Sequence, residues 1–190
     1  LVGVRDYGRG IPLGKVVDCV STINTGAKYN DDVFQFSVGL NGVGTKAVNA
    51  LSSHFKVVAY RDGLFAEATF ARGKLKDQER GKTNKADGTY VEFTPDKQIF
   101  DEYEFNYEYL ERRLRNYAYL NSGLKLHFDG NCFESKQGLL DLLVAEVGES
   151  TVYGAAHYCA THLEFAFTHI ASYGESYFSF VNGQHTTDGG

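Results

Sequence analysis

A glycine-rich stretch, Gly39-Leu-Asn-Gly-Val-Gly44, stands immediately before an amphipathic run over residues 45–52. Glycine lets backbone N–H groups approach an anion because no Cβ intervenes. The run predicts a helix, whose N-terminus adds free N–H donors and the positive end of a dipole. A phosphate chain would suit such a loop, although a tight turn before a helix satisfies the same pattern.

A carboxylate stands near the front of the chain, where a short buried strand over residues 1–5 is predicted to end. It opens the segment Asp6-Tyr-Gly-Arg-Gly-Ile-Pro12. Gly8 and Gly10 permit a sharp turn, and Pro12 keeps the backbone from re-entering a strand. A carboxylate fixed in this way can accept a hydrogen bond from an exocyclic amine such as N6 of adenine. The alternative is that Asp6 only forms an Asx turn.

These two motifs are joined by a predicted helix and a loop. Apolar residues over 14–24 recur at helical spacing, which predicts a core-facing helix with Cys19 as a small buried residue. Residues 25–38 show no clear period and predict a loop that could close over a ligand as a lid. Lys28 on that loop is either a phosphate contact or an exposed lysine.

Alternating apolar and polar residues predict antiparallel strands over residues 55–60, 64–70 and 89–93, with a hairpin turn at 61–63. The charged stretch 74–87 is expected to be a solvated loop. A helix is predicted over 104–120, followed by a hairpin over 124–134 and a short helix over 137–144. The helix over 104–120 would have a buried stripe made of Phe105, Tyr109, Leu110, Leu114 and Tyr117. Its other face carries Arg112, Arg113 and Arg115 and is either solvated or turned to DNA.

The composition of the chain changes near residue 148. Three further strands, rich in aromatic and β-branched residues, are predicted over 151–157, 163–169 and 177–181. We therefore expect one domain over residues 1–147 and the beginning of a second over 148–190. The chain contains no Met and opens inside a predicted strand, so we interpret it as a piece of a longer protein.

Composition excludes several classes of protein. With 190 residues, 43% of them hydrophobic and 23% charged, the chain is long enough to build a real core. No apolar run approaches the roughly 20 residues of a membrane span, and no signal-peptide pattern opens the chain. The three cysteines are far apart, which argues against a disulfide framework or a zinc site and favours a reducing, cytoplasmic location. The net charge of −5 gives no electrostatic footprint for DNA.

Three groups of motifs occur here in one order: residues 6–12, residues 39–52, and Phe180-Val-Asn182 with Asp188-Gly-Gly190. Together they resemble the ATPase half of the type IIA DNA topoisomerase B subunits, and more closely the topoisomerase IV branch than the gyrase branch. The first two motifs occur throughout the GHKL ATPase superfamily. Three segments narrow the resemblance to topoisomerases, namely the continuation Val48-Asn-Ala-Leu-Ser52, Tyr119-Leu-Asn-Ser-Gly-Leu124 and Phe180-Val-Asn182.

The resemblance implies a role for each matching residue. Asp6 would bind the adenine amino group, with Thr89 beside it through a shared water. Gly8 and Gly10 would let the base approach the backbone, and Ile11 and Pro12 would form a wall of the base pocket. The triphosphate would be wrapped by the residues of the glycine loop, which are Gly39, Leu40, Asn41, Gly42, Val43, Gly44 and Thr45.

Further residues are implied at the rim of the pocket. Lys28 matches a lid lysine near the phosphates, Arg9 an arginine that braces the rim, and Arg61 an arginine at the pocket mouth that aminocoumarin inhibitors contact. The chain departs from the gyrase pattern at two positions. Asn41 stands where gyrases commonly carry His, and Phe34 stands where a lid Tyr donates a hydrogen bond to adenine.

The resemblance also implies what the chain lacks. The general-base Glu and the Asn that holds Mg²⁺ would lie before residue 1, and the lysine that reaches the γ-phosphate would lie after residue 190. The site therefore needs ATP and Mg²⁺ as cofactors, yet this chain supplies no catalytic residue and no metal ligand. Because phosphoryl transfer depends on positioning and on charge neutralisation, the isolated chain is expected to have no useful ATPase activity.

The implied fold is α+β, a two-layer sandwich of the GHKL type. A largely antiparallel sheet would carry helices on one face in an ATP-binding domain lacking its N-terminal part (1–147). The first strands of a truncated transducer domain would follow (148–190).

The resemblance also implies a function. ATP binding would close a dimeric gate for DNA passage, and hydrolysis would reset it. The partners would be DNA, an A-type cleavage subunit and a second B subunit in an A2B2 heterotetramer, without a membrane. The alternative is an ATP-dependent clamp of the mismatch-repair or chaperone type, which needs no cleavage subunit.

Overall fold

The computed structural model describes residues 1–23, 25, 42–148, 150–181 and 183–186. The chain divides into two compact units, Leu1–Tyr103 and Glu104–Gly190. The domain boundary near residue 148, which composition suggests, stays a prediction. In the described part of the chain, no helix combines the length and the apolar character that crossing a membrane requires.

The first unit is built on a five-stranded antiparallel sheet in the spatial order β1-β5-β2-β3-β4. The three strands predicted from alternation are confirmed as β2, β3 and β5. The expected loop over 74–87 is wrong, because most of it is the edge strand β4. Pairing with β3 imposes the strand although nearly all its side chains are exposed, and its charges suit an unpaired edge. The strands are β1 (Val2–Arg5), β2 (Ser52–Arg61), β3 (Leu64–Ala71), β4 (Lys74–Lys82) and β5 (Gly88–Pro95).

Two short helices cover one face of this sheet. A 3₁₀ turn (Leu13–Lys15) leads into α1 (Val16–Ser21), and α2 (Gly44–Ala50) follows the glycine motif. Alternate residues of β2 and β3 pack beneath α1, and the rings of Phe55 and Phe70 meet edge to face at 6.0 Å. The buried core of this unit comprises Val16, Val20, Phe55, Val57, Ala59, Ala66, Ala68 and Phe70.

The opposite face of the sheet is mixed, because the buried Val58 and Tyr60 lie among polar and charged side chains. Lys56 Nζ lies 2.7 Å from a carboxylate oxygen of Glu67. Glu92 accepts a hydrogen bond of 2.7 Å from the Tyr90 hydroxyl, and its other oxygen lies 3.1 Å from His54 Nε2. The Tyr90 hydrogen bond, followed by that of His54, lowers the pKa of Glu92 below its usual range. Since the core cluster lies on only one face, a slip of one residue would turn it away from the helices, so the register of the sheet is strongly fixed.

An ion pair between the buried Asp96 and the half-exposed Arg72 closes one end of the sheet. Asp96 caps the short helix α3 (Lys97–Phe100) by accepting from the N–H of Gln98 at 3.1 Å. The same carboxylate pairs with the guanidinium of Arg72, which is the main reason that the pKa of Asp96 is lowered. Its own N–H donates to the carbonyl of Leu51 at 2.9 Å, which ties α3 to the segment that joins α2 to β2.

The second unit consists of helices and separate hairpins. The predicted hairpin over 124–134 is confirmed as β6–β7, and the predicted short helix is α5. The strand predicted over 151–157 is wrong in position, since β8 begins only at Ala156, and the strands predicted over 163–169 and 177–181 are confirmed in shorter form as β9 and β10. The described strands pair as β8–β9 and β10–β11. The elements are α4 (Tyr107–Leu120), β6 (Leu126–Phe128), β7 (Asn131–Phe133), α5 (Leu139–Val147), β8 (Ala156–Ala160), β9 (Leu163–Phe167), β10 (Ser179–Val181) and β11 (Gln184–Thr186).

The predicted buried stripe on α4 is only partly correct. Tyr109 and Tyr117 are each 45% exposed, whereas Ala118 is buried. The Tyr109 hydroxyl accepts a 2.9 Å hydrogen bond from Arg113, which holds this tyrosine at the surface among the arginines. Tyrosine has a polar tip as well as an apolar ring, so helical spacing alone does not determine whether it is buried.

A carboxylate organises the turn before α5. Asp141 Oδ2 accepts hydrogen bonds from the N–H of Gln137 at 2.9 Å, the Ser135 hydroxyl at 2.7 Å and the N–H of Lys136 at 3.1 Å. The Gln137 bond, then that of Ser135, lowers the pKa of Asp141. This carboxylate therefore stabilises the fold in its ionised form.

Asp141→Asn is expected to lower the free energy of unfolding by about 1–3 kcal/mol at pH 7, because a charged acceptor of three donors is lost. The folded-state pKa lies below the unfolded value of about 3.9. The contribution is therefore complete above pH 5 and disappears as the pH falls through the folded pKa. Denaturant titrations at pH 7 and pH 3 measure it. Asp129→Asn, at the exposed turn between β6 and β7, serves as the matched control. An equal deficit at both pH values would contradict the assignment.

Candidate nucleotide-binding site

Asp6 continues the pairing of β1 with β5. Arg5 is opposite Tyr90 in the register, and the Asp6 N–H donates to the Thr89 carbonyl at 2.9 Å. Side chains alternate along a strand, so Asp6 lies on the same face as Val4. Thr89 is opposite Ala59, a core residue of the helix-covered face. The two residues that the sequence assigned to adenine are thus neighbours at one end of the sheet.

The Asx turn left open by the sequence is present. The N–H of Gly8 donates to Asp6 Oδ1 at 2.8 Å, and Asp6 is exposed. This is the one hydrogen bond found for the carboxylate within the described ranges, so Oδ2 can accept from a ligand. The turn and the ligand-binding interpretation are compatible, because the turn fixes the direction of the carboxylate.

Two glycines allow this turn to pack against the sheet. Gly10 has φ +70°, and a Cβ there would lie 2.4 Å from the Tyr60 carbonyl oxygen. Gly88 has φ +134°, and its Cβ would lie 2.1 Å from the carbonyl oxygen of Asp6. Gly10 was predicted from its motif, whereas the role of Gly88 was missed. The one feature of the sequence that could have indicated Gly88 is its position directly before Thr89.

Arg5 also supports the turn and was not predicted. Its guanidinium stacks on the Tyr60 ring, 4.4 Å from the centroid, and lies 5.1 Å from that of Tyr7. Nη2 donates to the carbonyl oxygen of Ala86. Arg5 therefore links the Asp6 turn to the segment that precedes β5.

The remaining residues of the first motif lie along the approach to α1. Ile11 packs against the core of the sheet, while Arg9 is exposed. Pro12 is exposed too, and its carbonyl accepts from the Lys15 N–H at 2.8 Å. Arg61 ends β2, with Nε 3.4 Å from Asp62 Oδ2. Because Tyr60 is opposite Gly88, Arg61 stands at the same end of the sheet as Asp6.

The described part of the glycine motif runs from Gly42 to Thr45. Gly42 has φ +57°, and the helix begins at Gly44, one residue earlier than predicted. Val43, Gly44 and Thr45 are exposed, and the first helical bond joins the Ala47 N–H to the Val43 carbonyl at 2.9 Å. Five predicted site residues lie outside the described residues, namely Lys28, Phe34, Gly39, Leu40 and Asn41.

Helix α2 covers the face of the sheet on which Asp6 and Thr89 lie. Val48 packs against the same core cluster as Ile11 and Val91. The described parts of the two motifs are therefore on one side of the sheet, as a shared ligand requires. Among described residues, no three His, Cys, Asp or Glu side chains converge as metal ligands.

A separate cavity of about 230 Å³ lies between α1 and the outer strands. Leu13, Val17, Leu75, Glu67 and Arg80 contribute to its lining. No residue assigned to the nucleotide lines this cavity, so it is distinct from the Asp6 site.

Comparison with solved structures places the fold in the class of the gyrase and topoisomerase II ATPase domains. The solved 43K ATPase domain of Thermus thermophilus gyrase B, in complex with an aminocoumarin, matches with a TM-score of 0.79 and 29% identity. The match covers 99% of this chain and 53% of that one. The ATPase region of Saccharomyces cerevisiae topoisomerase II matches with a TM-score of 0.76 at 19% identity, which bears on the fold alone.

Sequence comparison finds relatives that match this chain over its whole length. The B subunit of DNA topoisomerase 4 from Borreliella burgdorferi is 58% identical, over 100% of this chain and 32% of its own length. The B subunit of DNA gyrase from Thermotoga maritima is 34% identical, over 100% of this chain and 34% of its own length. No protein-family model matches. Over its whole length the chain is similar to the type IIA topoisomerase B subunits, and it spans about a third of the length of these curated relatives. The family resemblance read from the motifs is confirmed.

Proposed function

We propose that this chain binds ATP, with the adenine at Asp6 and the triphosphate at the glycine motif. The observation that carries the proposal is the fixed carboxylate of Asp6, which engages one oxygen in its turn, leaves the other able to accept, and lies beside Thr89. A carboxylate accepts from the 6-amino group of adenine, and a threonine hydroxyl can hold a water between them. Gly8 and Gly10 leave room for the base, and Ile11 and Pro12 form its wall.

At the other end of the nucleotide, the backbone of residues 42–45 supports a phosphate-binding role. Gly42 is half-buried, and Val43, Gly44 and Thr45 are exposed. Small residues let oxygen atoms approach the N–H groups. In the proposed site the loop is completed by Gly39, Leu40 and Asn41.

The rim of the proposed pocket is formed by longer side chains. By the resemblance, we assign Lys28 to the phosphates and Phe34 and Arg9 to the border of the pocket; Lys28 and Phe34 lie outside the described residues. Arg61 lies at its mouth, where an aminocoumarin of the kind bound by the Thermus relative would compete with ATP.

Mg²⁺ would accompany the nucleotide because it neutralises the charge of the triphosphate. By the family resemblance alone, we propose that its protein ligand and the general base belong to other parts of the full-length protein. This chain then contributes binding and orientation. The isolated chain is accordingly expected to release phosphate far more slowly than the full-length protein.

In the full-length protein, we propose that ATP binding closes a gate between two B subunits and that hydrolysis reopens it. The enzyme would be an ATP-dependent type II DNA topoisomerase of the bacterial cytoplasm, with two A-type cleavage subunits and DNA as partners. The 58% identity to a topoisomerase 4 B subunit over the whole chain supports this assignment. The net charge of −5 implies that DNA contacts in this region are few.

The test is reconstitution of the full-length protein with its A-type subunit. Relaxation or decatenation of circular DNA is expected only when both subunits and ATP are present. A non-hydrolysable ATP analogue should support a single passage rather than turnover. ATP-dependent trapping of another partner, with no DNA passage beside the cleavage subunit, would instead indicate a clamp of the mismatch-repair or chaperone type.

A further inference from the structure

Lys46, in the first turn of α2, carries a buried charge. The residue is only 7% exposed, and its ammonium group donates to the carbonyl oxygens of Thr25, at 2.8 Å, and Gly42. Both of these bonds go to the backbone. A lysine usually extends its ammonium into water, so burying it requires hydrogen bonds that compensate for lost hydration. The side chain is therefore held in one place rather than exposed on the helix.

Thr25 is itself fastened to the end of α1. Its hydroxyl donates to the carbonyl oxygens of Asp18 and Thr22, at 2.6 Å each. The ammonium of Lys46 thus lies at the C-terminal end of α1, where unsatisfied carbonyls and the helix dipole favour a cation. Through this contact, the start of α2 is attached to the end of α1.

Gly42 completes the junction. It has φ +57°, and a Cβ there would lie 3.0 Å from the Thr25 carbonyl oxygen and 3.1 Å from Lys46 Nζ. The backbone at this position therefore packs directly on the ammonium. A second bond, from Asn49 Nδ2 to the Val20 carbonyl at 2.9 Å, joins the same helices one turn further along. Of these two side chains, Lys46 is the one that bonds to the glycine motif, through the carbonyl oxygen of Gly42.

We propose that Lys46 is a positioning residue for the nucleotide, acting through the turn at Gly42. The ammonium holds the described end of the glycine motif against α1 before any ligand arrives, so less ordering remains to be done on binding. This inference rests on the proposed ATP-binding function. It differs from a direct phosphate contact, because it requires an effect of Lys46 in the absence of nucleotide.

The experiment compares Lys46→Met, Lys46→Arg and Lys56→Met in the full-length protein. Methionine keeps the length of the side chain and removes the charge. Arginine keeps a cationic donor. Lys56→Met makes the same change on β2, where the ammonium pairs with Glu67 and not with the glycine motif. Titration calorimetry measures the dissociation constant of ATP, and hydrogen exchange measures the amides of residues 42–47 without nucleotide.

Lys46→Met is expected to weaken ATP binding at least tenfold and to speed exchange of these amides in the nucleotide-free protein. Lys46→Arg should restore the affinity to within about threefold of the parent, and Lys56→Met should leave both quantities unchanged. If the parent protein binds ATP and Lys46→Met binds it equally well, the inference is overturned. It is also overturned if affinity falls while nucleotide-free exchange stays as in the parent. Failure of the parent itself to bind ATP would refute the proposed function instead.

Discussion

Replacing Asp6 with asparagine is expected to weaken ATP binding by the full-length protein about 10- to 100-fold. A hydrogen bond to a charged group contributes about 1.5–3 kcal/mol, and 1.4 kcal/mol corresponds to a factor of ten in affinity. Asparagine can still accept from the Gly8 N–H, because it forms the same Asx turn. Its amide presents a donor as well as an acceptor, so it can be turned unfavourably toward the adenine amine. Titration calorimetry measures the change.

Asp77→Asn is the matched control for this prediction. Asp77 lies exposed on β4 and accepts from a backbone N–H at 2.9 Å, as Asp6 does, but it stands on the far edge of the sheet. Its replacement should leave ATP affinity unchanged. Equal affinities of the parent, Asp6→Asn and Asp77→Asn proteins would remove Asp6 from the site.

Gly88→Ala is expected to lower the free energy of unfolding by about 2–5 kcal/mol, since overpacking and a left-handed backbone conformation each cost about 1–3 kcal/mol. The added Cβ would lie 2.1 Å from the carbonyl oxygen of Asp6, which is backbone and cannot turn away. This clash is relieved only if Asp6 moves away from β5, so ATP affinity should fall as well. Denaturant titration and calorimetry measure the two effects.

Gly14→Ala provides the comparison, because a Cβ there meets nothing within 4 Å. Its unfolding free energy should remain within about 0.5 kcal/mol of the parent. The close packing of the Asp6 turn on β5 would be contradicted if Gly88→Ala were as stable as Gly14→Ala.

Local patterns in the sequence predicted the parts of the fold that local forces determine. Alternation in β2, β3 and β5 reflects one buried face, and it located those strands. β4 was not predicted, because its side chains are almost all exposed and mostly charged or polar. Only pairing with β3 makes it a strand. Tyr109 was placed wrongly on α4 because an aromatic residue with a hydroxyl suits a surface beside arginine as well as a core.

The candidate site was predicted in a different way. Asp6 and the glycine motif were visible because turn residues and their spacing carry the chemistry. The supporting residues were not visible, because their roles arise from contacts between distant positions. Gly88 matters through its approach to Asp6, Arg5 through its bond to Ala86, and Lys46 through its bond to Thr25. A single sequence does not encode such pairs in any periodic pattern.

The most direct test of the account is an experimental structure of the full-length protein with a non-hydrolysable ATP analogue and Mg²⁺. It should place the adenine 6-amino group within about 3 Å of a carboxylate oxygen of Asp6, with the triphosphate against the backbone of residues 42–45. An adenine bound elsewhere, with the Asp6 carboxylate still facing solvent, would contradict it.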